Sequence, residues 1–161
     1  MESVLGDKLL ARGCSDEHFM RRAIAVASAA ELEGDVPIGV VLISGQLTVE
    51  TKNEKEARHD ATAHAEMIAL QRAARELRTW RLLHATVYVT KEPCVMCAGA
   101  LIAARVKRVV FGCRDPKGGA AGSVFDILGS AKVNHQVEVT AGILEIETSS
   151  QLQTFFKTRR E

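Results

Sequence analysis

Two short motifs in this chain bring together the residue types that bind and use a metal ion. The first is His64-Ala65-Glu66, and the second, Glu-Pro-Cys-Val-Met-Cys at 92–97, begins 26 residues after Glu66. One imidazole and two thiols are three metal ligands, whereas a structural zinc site usually has four. A zinc ion held here would keep an open position for water, with the carboxylate of Glu66 beside it as acid or base. The pattern therefore favours a catalytic site over a structural one.

The spacing of the two cysteines places both thiols at the start of one helix. Cys94 and Cys97 are three residues apart, so they lie on one face of a helix. Pro93 suits the first turn of that helix, where a missing N–H costs nothing. The positive end of the helix dipole favours the thiolate form there. Both sulfurs are thus expected to point at one spot.

The first motif imposes a stricter condition on the backbone. His64 and Glu66 are two residues apart and would face nearly opposite sides of a regular helix. They converge only if His64 lies at the helix boundary with non-helical geometry, and Thr62 is a candidate N-cap for that helix. We therefore expect the imidazole at the mouth of one helix, near the thiols at the mouth of another, at the carboxyl ends of strands.

The Cys-x-x-Cys pair, taken alone, is also compatible with redox chemistry or with a structural zinc site. Such a pair at a strand-to-helix turn serves redox chemistry in some proteins, although in redox motifs the proline commonly lies between the cysteines. It could equally be half of a four-cysteine zinc ribbon, but the chain has only four cysteines and no second pair. We expect the remaining two, Cys14 and Cys113, to be small buried or half-buried apolar residues.

The elements predicted from hydrophobic periodicity alternate between helix and strand, which indicates a layered α/β domain. The strand-helix-strand unit at 85–111 is expected to be parallel. On the last helix, Leu152, Phe155 and Phe156 are expected to face inward. In chain order we predict a helix at 15–34, an antiparallel hairpin of strands at 36–43 and 47–52, a polar loop at 53–60, a helix at 63–78, a strand at 85–90, a helix at 94–104, a strand at 106–111, a glycine-rich loop at 112–123, a helical turn at 124–128, an edge strand at 137–140 and a helix at 144–159.

Size and composition are those of an ordinary globular domain. The chain has 161 residues, of which 47% are hydrophobic and 25% charged, so we expect one folded domain over 1–161. No apolar run reaches the roughly 18 residues that a membrane helix needs. The first 15 residues lack the hydrophobic core of a secretion signal. A cytoplasmic location is the corresponding expectation.

Charge and aromatic content give little support for nucleic-acid binding. The net charge is +1, and the aromatic residues are five Phe, one Trp and one Tyr, whereas nucleic-acid-binding surfaces are usually basic or rich in stacking aromatics. Any RNA contact must therefore come from local basic clusters. Two such clusters are Arg72 to Arg81, which contains four arginines, and Lys157 to Arg160.

Taken together, the two motifs resemble the signature of the cytidine deaminase-like zinc deaminases, His-x-Glu followed by Pro-Cys-x-x-Cys, a signature and mechanism already described for enzymes that act on flipped bases. Within that superfamily the chain resembles the bacterial tRNA-specific adenosine deaminases over about 18–160. The features that carry this narrower resemblance are the Gly-Ala-Ala-Gly-Ser loop at 119–123 and the Phe-Phe-Lys-Thr-Arg-Arg tail at 155–160.

The resemblance implies a fold, a reaction and a set of site residues. The implied fold is a single CMP/dCMP-type deaminase domain of three α/β/α layers with a mixed five-stranded sheet. The implied reaction converts the wobble adenosine of a tRNA anticodon to inosine, in a homodimer whose subunits both contribute to each RNA site. The implied residues are the ligands of one zinc ion per subunit, His64, Cys94 and Cys97; the proton shuttle, Glu66; the contact to the flipped base and its ribose, Asn53; and the contacts near the anticodon loop, Asp115, Lys117, Phe156 and Arg159.

Two other functions remain open from sequence. One is a deaminase of free guanine or cytosine with the same fold, which would need no basic surface. The other is a non-catalytic RNA-binding module stabilised by zinc, which would need a fourth ligand such as Cys113. The chain also departs from the resembled family at Glu54, where an arginine is usual. A carboxylate there is expected to weaken phosphate binding.

Overall fold

The computed structural model describes residues 15–160, which contain five helices and one five-stranded sheet. Cys14, expected to be buried or half-buried, lies outside the described residues. Within residues 15–160 no helix has the length and apolar character needed to cross a membrane. The elements are α1 (Asp16–Leu32), β1 (Gly39–Ser44), β2 (Leu47–Lys52), α2 (Lys55–Arg58), α3 (Ala65–Leu77), β3 (Thr86–Lys91), α4 (Val95–Ala103), β4 (Arg108–Cys113), β5 (Glu138–Thr140) and α5 (Glu145–Arg159).

The sheet is mixed, as expected, and its strands lie in the order β2-β1-β3-β4-β5. Strand β1 pairs antiparallel with both β2 and β3, while β3, β4 and β5 are parallel. The predicted hairpin is confirmed, with Ser44 opposite Leu47 at its turn. The two central parallel strands are buried almost throughout, which is the usual condition of parallel strands covered by helices on both faces.

The two faces of the sheet bury different helices, which confirms the three-layer arrangement. On one face, Val41, Ile43 and Tyr88 pack with Phe19 and other residues of α1. On the other face, alternate residues of the same strands pack against apolar residues of α3 and α4, as the period of two in a strand requires. Helix α1 begins where predicted, because the Ser15 hydroxyl accepts a hydrogen bond from the N–H of His18.

Helix α1 approaches β1 so closely that one position must be glycine. A Cβ placed on Gly39 would lie 2.0 Å from the carbonyl oxygen of Ala23. Strand β1 starts at Gly39 and not at residue 36 as predicted. Pro37 lies between these positions and has no backbone N–H to donate to a neighbouring strand.

Three local predictions were wrong. The polar loop at 53–60 contains the short helix α2. Residues 124–128 form no helical turn, because an isolated bridge joins Ala121 to Asp126 and the N–H of Gly122 donates to the carbonyl of Phe125. On α5, Leu152 and Phe155 face inward as expected, but Phe156 is 43% exposed.

An ion pair at the far end of the sheet ties the start of α1 to β4. Both carboxylate oxygens of Asp16 accept hydrogen bonds from the Arg108 guanidinium, at 2.9 and 2.8 Å. The Tyr88 hydroxyl donates to the same carboxylate at 3.1 Å. The hydrogen bond from Arg108 holds the pKa of Asp16 below its usual value. The stability that this pair contributes is therefore full above the usual aspartate pKa of about 3.9 and is lost as pH falls through the lowered value.

We expect a double-mutant cycle of Asp16→Asn and Arg108→Gln at pH 7 to give a coupling of about 1.5–3 kcal/mol, because the pair is bidentate and partly buried. The control is the pair Arg22 and Glu50, whose side chains are 39% and 38% exposed and whose coupling should be below about 1 kcal/mol. Urea denaturation measures both. Equal couplings for the two pairs would contradict the structural role given to Asp16.

Candidate active site

The predicted site residues gather at the edge of the sheet where β2, β3 and β4 end. Gly39 and Lys52 pair at this edge, and the N–H of Gly39 donates to Thr90 Oγ1. The N–H of Glu92 donates to the carbonyl of Cys113, so the segments that follow β3 and β4 leave the sheet side by side. In open α/β sheets, sites form at the carboxyl ends of strands in this way.

His64 lies at a helix boundary, as its spacing from Glu66 demanded. It is the N-cap of α3, with an extended backbone (φ −71°, ψ 149°), and Glu66 is in the first turn. The imidazole and the carboxylate can therefore point into one space although they are only two residues apart. Thr62 is not the N-cap that we predicted, because its N–H and hydroxyl both bond to the carboxylate of Asp60.

The start of α3 is capped from a distance by Asn53. The side-chain Oδ1 of Asn53 accepts a hydrogen bond of 2.9 Å from the N–H of Ala65. The Asn53 N–H donates to the carbonyl of Ile38, and the residue is almost completely buried. Sequence reasoning missed this role because the cap lies 12 positions before the N–H that it satisfies.

The two cysteines also lie at a helix start. Cys94 is the N-cap of α4, with φ −75° and ψ 176°, and Cys97 is in the first turn. Pro93 is therefore one position before the N-cap and not in the first turn of the helix, which corrects our prediction. Its carbonyl accepts a hydrogen bond of 2.8 Å from the N–H of Ala120, so the ligand segment is attached to the loop that follows β4.

Three side chains from the two helix starts converge on one point. The Nδ1 of His64 lies 3.6 Å from the Sγ of Cys94 and 3.5 Å from the Sγ of Cys97. Their ligand atoms all lie within 4.8 Å of one another, and within residues 15–160 no other group of three His, Cys, Asp or Glu residues meets that condition. A nitrogen and two sulfurs at these separations can hold a metal ion.

The thiols and the imidazole shift one another's pKa values. A hydrogen bond with Cys97 lowers the pKa of Cys94 to about 3, while the pKa of Cys97 is raised. A hydrogen bond with Cys94 raises the pKa of His64. The lowered pKa of Cys94 favours its thiolate form, which is the form that binds metals.

Glu66 is a buried carboxylate with an unused acceptor. The residue is 4% exposed, and its Oε2 has no hydrogen-bond partner within the described part of the chain. Burial raises its pKa, because the charged form is poorly solvated. A carboxylate in this state, beside a cluster of metal-binding groups, is suited to accepting and delivering a proton.

Of the four predicted RNA contacts, two lie on the loop that follows β4. The Asp115 carboxylate is 3.0 Å from the Lys91 ammonium and accepts a hydrogen bond of 3.0 Å from the N–H of Lys117. The Lys117 side chain is exposed. Asp115 therefore shapes the loop itself, whereas Lys117 is presented to solvent.

The other two predicted RNA contacts lie near the end of α5. The Arg159 guanidinium stacks 4.7 Å from the centre of the Phe155 ring and donates to the carbonyl of Gly34. Phe156 is exposed beside it. Gly34 precedes the start of β1, so α5 brings both residues towards the same edge of the sheet as the site.

The carboxylate of Glu54 is paired within its own loop. It bonds to the guanidinium of Arg58 and lies 3.5 Å from the Lys52 ammonium. The negative charge that was expected to oppose phosphate is therefore largely balanced by these two cations.

Comparison with known proteins agrees with this geometry. The family model of the MafB19-like deaminases matches residues 14–160. The tRNA-specific adenosine deaminase of Bacillus subtilis (strain 168) is 47% identical over 147 residues, which cover 91% of this chain and 91% of the relative. A solved structure from work on A-to-I editing by tRNA:A34 deaminases at the wobble position is 38% identical, with a TM-score of 0.80, covering 84% of this chain and 99% of the other.

The guanine deaminase of Nitrosomonas europaea matches with a TM-score of 0.77, over 88% of this chain and 84% of the other, at 21% identity. That likeness shows the shared fold alone.

We expect Asn53→Ala to lower the free energy of unfolding by about 1–2 kcal/mol, because it removes a buried N-cap acceptor. Asn134→Ala is the matched control, since the Asn134 side chain is exposed and accepts a long hydrogen bond of 3.4 Å from Arg105; this variant should change stability by less than about 0.5 kcal/mol. Chemical denaturation measures both variants. Equal losses of unfolding free energy in the two variants would show that α3 does not depend on the cap from Asn53.

Proposed function

The chain belongs to the MafB19-like deaminase family and to the tRNA-specific adenosine deaminases, and we propose that a zinc ion held by His64, Cys94 and Cys97 is the centre of its reaction. The reaction is the hydrolytic deamination of adenosine to inosine at the wobble position of a tRNA anticodon. Water is consumed and ammonia is released.

The separations among the ligand atoms carry the choice of zinc. Zinc bonds of about 2.0–2.1 Å to nitrogen and about 2.3 Å to sulfur, at tetrahedral angles, place nitrogen and sulfur about 3.6 Å apart. The distances from His64 Nδ1 to the two thiols are 3.6 and 3.5 Å. One imidazole and two thiolates also form a donor set that zinc favours, and they leave a fourth position open.

When bound by these residues, zinc would supply Lewis-acid chemistry that lowers the pKa of a water molecule towards about 7. We assign the proton transfers to Glu66. Its carboxylate takes one proton from the water whose oxygen adds to C6 of adenine and delivers it to the ring nitrogen. It then takes the second proton from the C6 hydroxyl formed by that addition and delivers it to the leaving amino group, so that C6 becomes a carbonyl. Breaking the C6–N bond then yields inosine and ammonia. The unused Oε2 of Glu66 and its raised pKa support this role.

The hydrogen bonding of Asn53 supports a role in binding the base. Its Oδ1 is occupied by the N–H of Ala65, which fixes the amide plane, and its Nδ2 makes no hydrogen bond within residues 15–160. We propose that this N–H₂ group contacts the flipped adenosine and its ribose. Flipping a base out of its stack costs a few kcal/mol and least in a single-stranded loop, which favours the anticodon loop as substrate.

The proposed RNA contacts around the pocket are Asp115 and Lys117 on one side and Phe156 and Arg159 on the other. Lys117 and Phe156 are exposed, so they can meet the phosphates and bases of the loop directly. Asp115 and Arg159 also make hydrogen bonds to nearby backbone groups. We therefore propose that each of them both shapes the site and contacts the RNA. Because tRNA is the substrate, we place the enzyme in the cytoplasm.

We further propose a homodimer in which both subunits contribute to each RNA site. The surface beside the ligand segment supports it, because Val95, Val124 and Phe125 are exposed large apolar residues. Val95 directly follows the proposed ligand Cys94. The N–H groups of Val124 and Phe125 both donate to the carbonyl of Gly119, and Gly119 itself forms an isolated β-bridge with Cys94. An apolar surface of this kind is typical of a subunit interface.

Glu66→Gln should lower kcat on an anticodon stem-loop by about 10²–10⁴ while retaining one zinc per subunit, because the amide cannot accept the proton of water. Cys97→Ser is the contrasting variant and should lose zinc together with activity. Metal content by elemental analysis and single-turnover kinetics separate the two effects. Activity within tenfold of wild type in Glu66→Gln would remove Glu66 from the mechanism.

Incubation of the enzyme with a tRNA pool, followed by sequencing for A-to-I changes, tests the substrate. Inosine should appear only at wobble adenosines, and free guanine should be left intact. Deamination of guanine without deamination of an anticodon stem-loop would instead establish the nucleobase deaminase alternative.

A further inference from the structure

A single carboxylate holds both ends of the loop that follows β4. The Oε1 of Glu92 accepts hydrogen bonds from the Ser123 hydroxyl at 2.9 Å and from the Arg114 guanidinium at 3.2 Å. The Oε2 of Glu92 accepts a hydrogen bond of 3.2 Å from the N–H of Asp115. Donors at 114, 115 and 123 therefore meet on one side chain, which closes the loop at 114–123 into a ring.

The Glu92 side chain is enclosed by that loop. Its side chain is 0% exposed. A Cβ on Gly119 would lie 1.5 Å from Oε2, so the loop backbone passes directly over the carboxylate. Hydrogen bonds to a charged group are about twice as strong as those between neutral groups. A buried carboxylate with three donors is thus a strong attachment point for an otherwise irregular segment.

The same residue belongs to the ligand segment. Glu92 is two residues before Cys94, the carbonyl of Pro93 accepts from Ala120, and Cys94 forms an isolated bridge with Gly119. The loop and the metal-binding segment therefore form one unit. Its outer surface carries Lys117, whose N–H bonds to the Asp115 carboxylate.

We propose that Glu92 is the positioning residue for RNA binding: it fixes the loop at 114–123 against the metal-binding segment so that Asp115 and Lys117 face the anticodon loop. It does not touch the reacting atoms. This inference rests on the proposed function, because it takes an anticodon stem-loop as the substrate.

Glu92→Gln tests the inference, because it keeps the length of the side chain but removes its charge and turns one acceptor into a donor. The new N–H₂ group must face either the donors of Ser123 and Arg114 or the N–H of Asp115. In both orientations a donor meets a donor and a hydrogen bond is lost. We expect KM for an anticodon stem-loop to rise roughly tenfold or more, with kcat within about threefold of wild type and one zinc per subunit. Hydrogen exchange should quicken at 114–125 and stay unchanged at 53–66.

Two further variants separate positioning from general loss of stability. Val41→Ala removes buried volume on the α1 face of the sheet and should lower the melting temperature without changing KM. Ser123→Ala deletes one of the three donors and should raise KM about threefold, which keeps the test usable if Glu92→Gln does not fold.

Three results would overturn the inference: an unchanged KM with unchanged exchange at 114–125, loss of zinc from Glu92→Gln, or a fall in kcat at constant KM. Failure of the proposed function is distinguishable from all of these, because wild-type enzyme would then not deaminate the stem-loop at all.

Discussion

The active site depends on how two helices begin. An imidazole and a carboxylate two residues apart can meet only if the first of them lies outside the helix, and His64 does so as the N-cap of α3. The His64 side chain makes no capping hydrogen bond, so the N–H of Ala65 needs another acceptor. Asn53 provides it from the end of β2. One hydrogen bond thereby links the sheet, the helix start and the residue proposed to hold the base.

Three buried carboxylates at this edge of the sheet differ in the number of their partners, and that number separates their roles. Asp35 accepts hydrogen bonds from the N–H groups of Val36 and Glu56, and so anchors the segment that contains α2. Glu92 accepts three and anchors the opposite loop. Glu66 keeps one oxygen without a hydrogen-bond partner among residues 15–160. Because an unsatisfied buried acceptor is costly, it is expected where chemistry uses it.

Features governed by local spacing could be predicted from the sequence, and features governed by long-range contacts could not. The convergence of His64, Cys94 and Cys97 could be predicted from three residue types and their intervals, and the extended geometry of His64 follows from the position of Glu66. The order of helices and strands follows from periodicity. Thr62 has the residue type and position of a cap, yet Asn53 caps the helix from 12 residues away. The sequence at 124–128 favours a helical turn. The structure has a bridge between Ala121 and Asp126 there instead, and no local sequence pattern indicates that bridge.

The charges around the site explain how a chain of net charge +1 can still act on RNA. Lys52, Lys91, Arg58 and Arg114 lie at this edge, but each is paired with a carboxylate of the protein. Their role is to fix the loops rather than to neutralise phosphates. Lys117 and Arg159 are the cations that we propose for the RNA backbone, and each phosphate contact contributes about one unit to the salt dependence of binding. We therefore propose that the shape of the loops contributes much of the recognition of RNA, and that the carboxylates that hold those loops contribute to RNA binding through it.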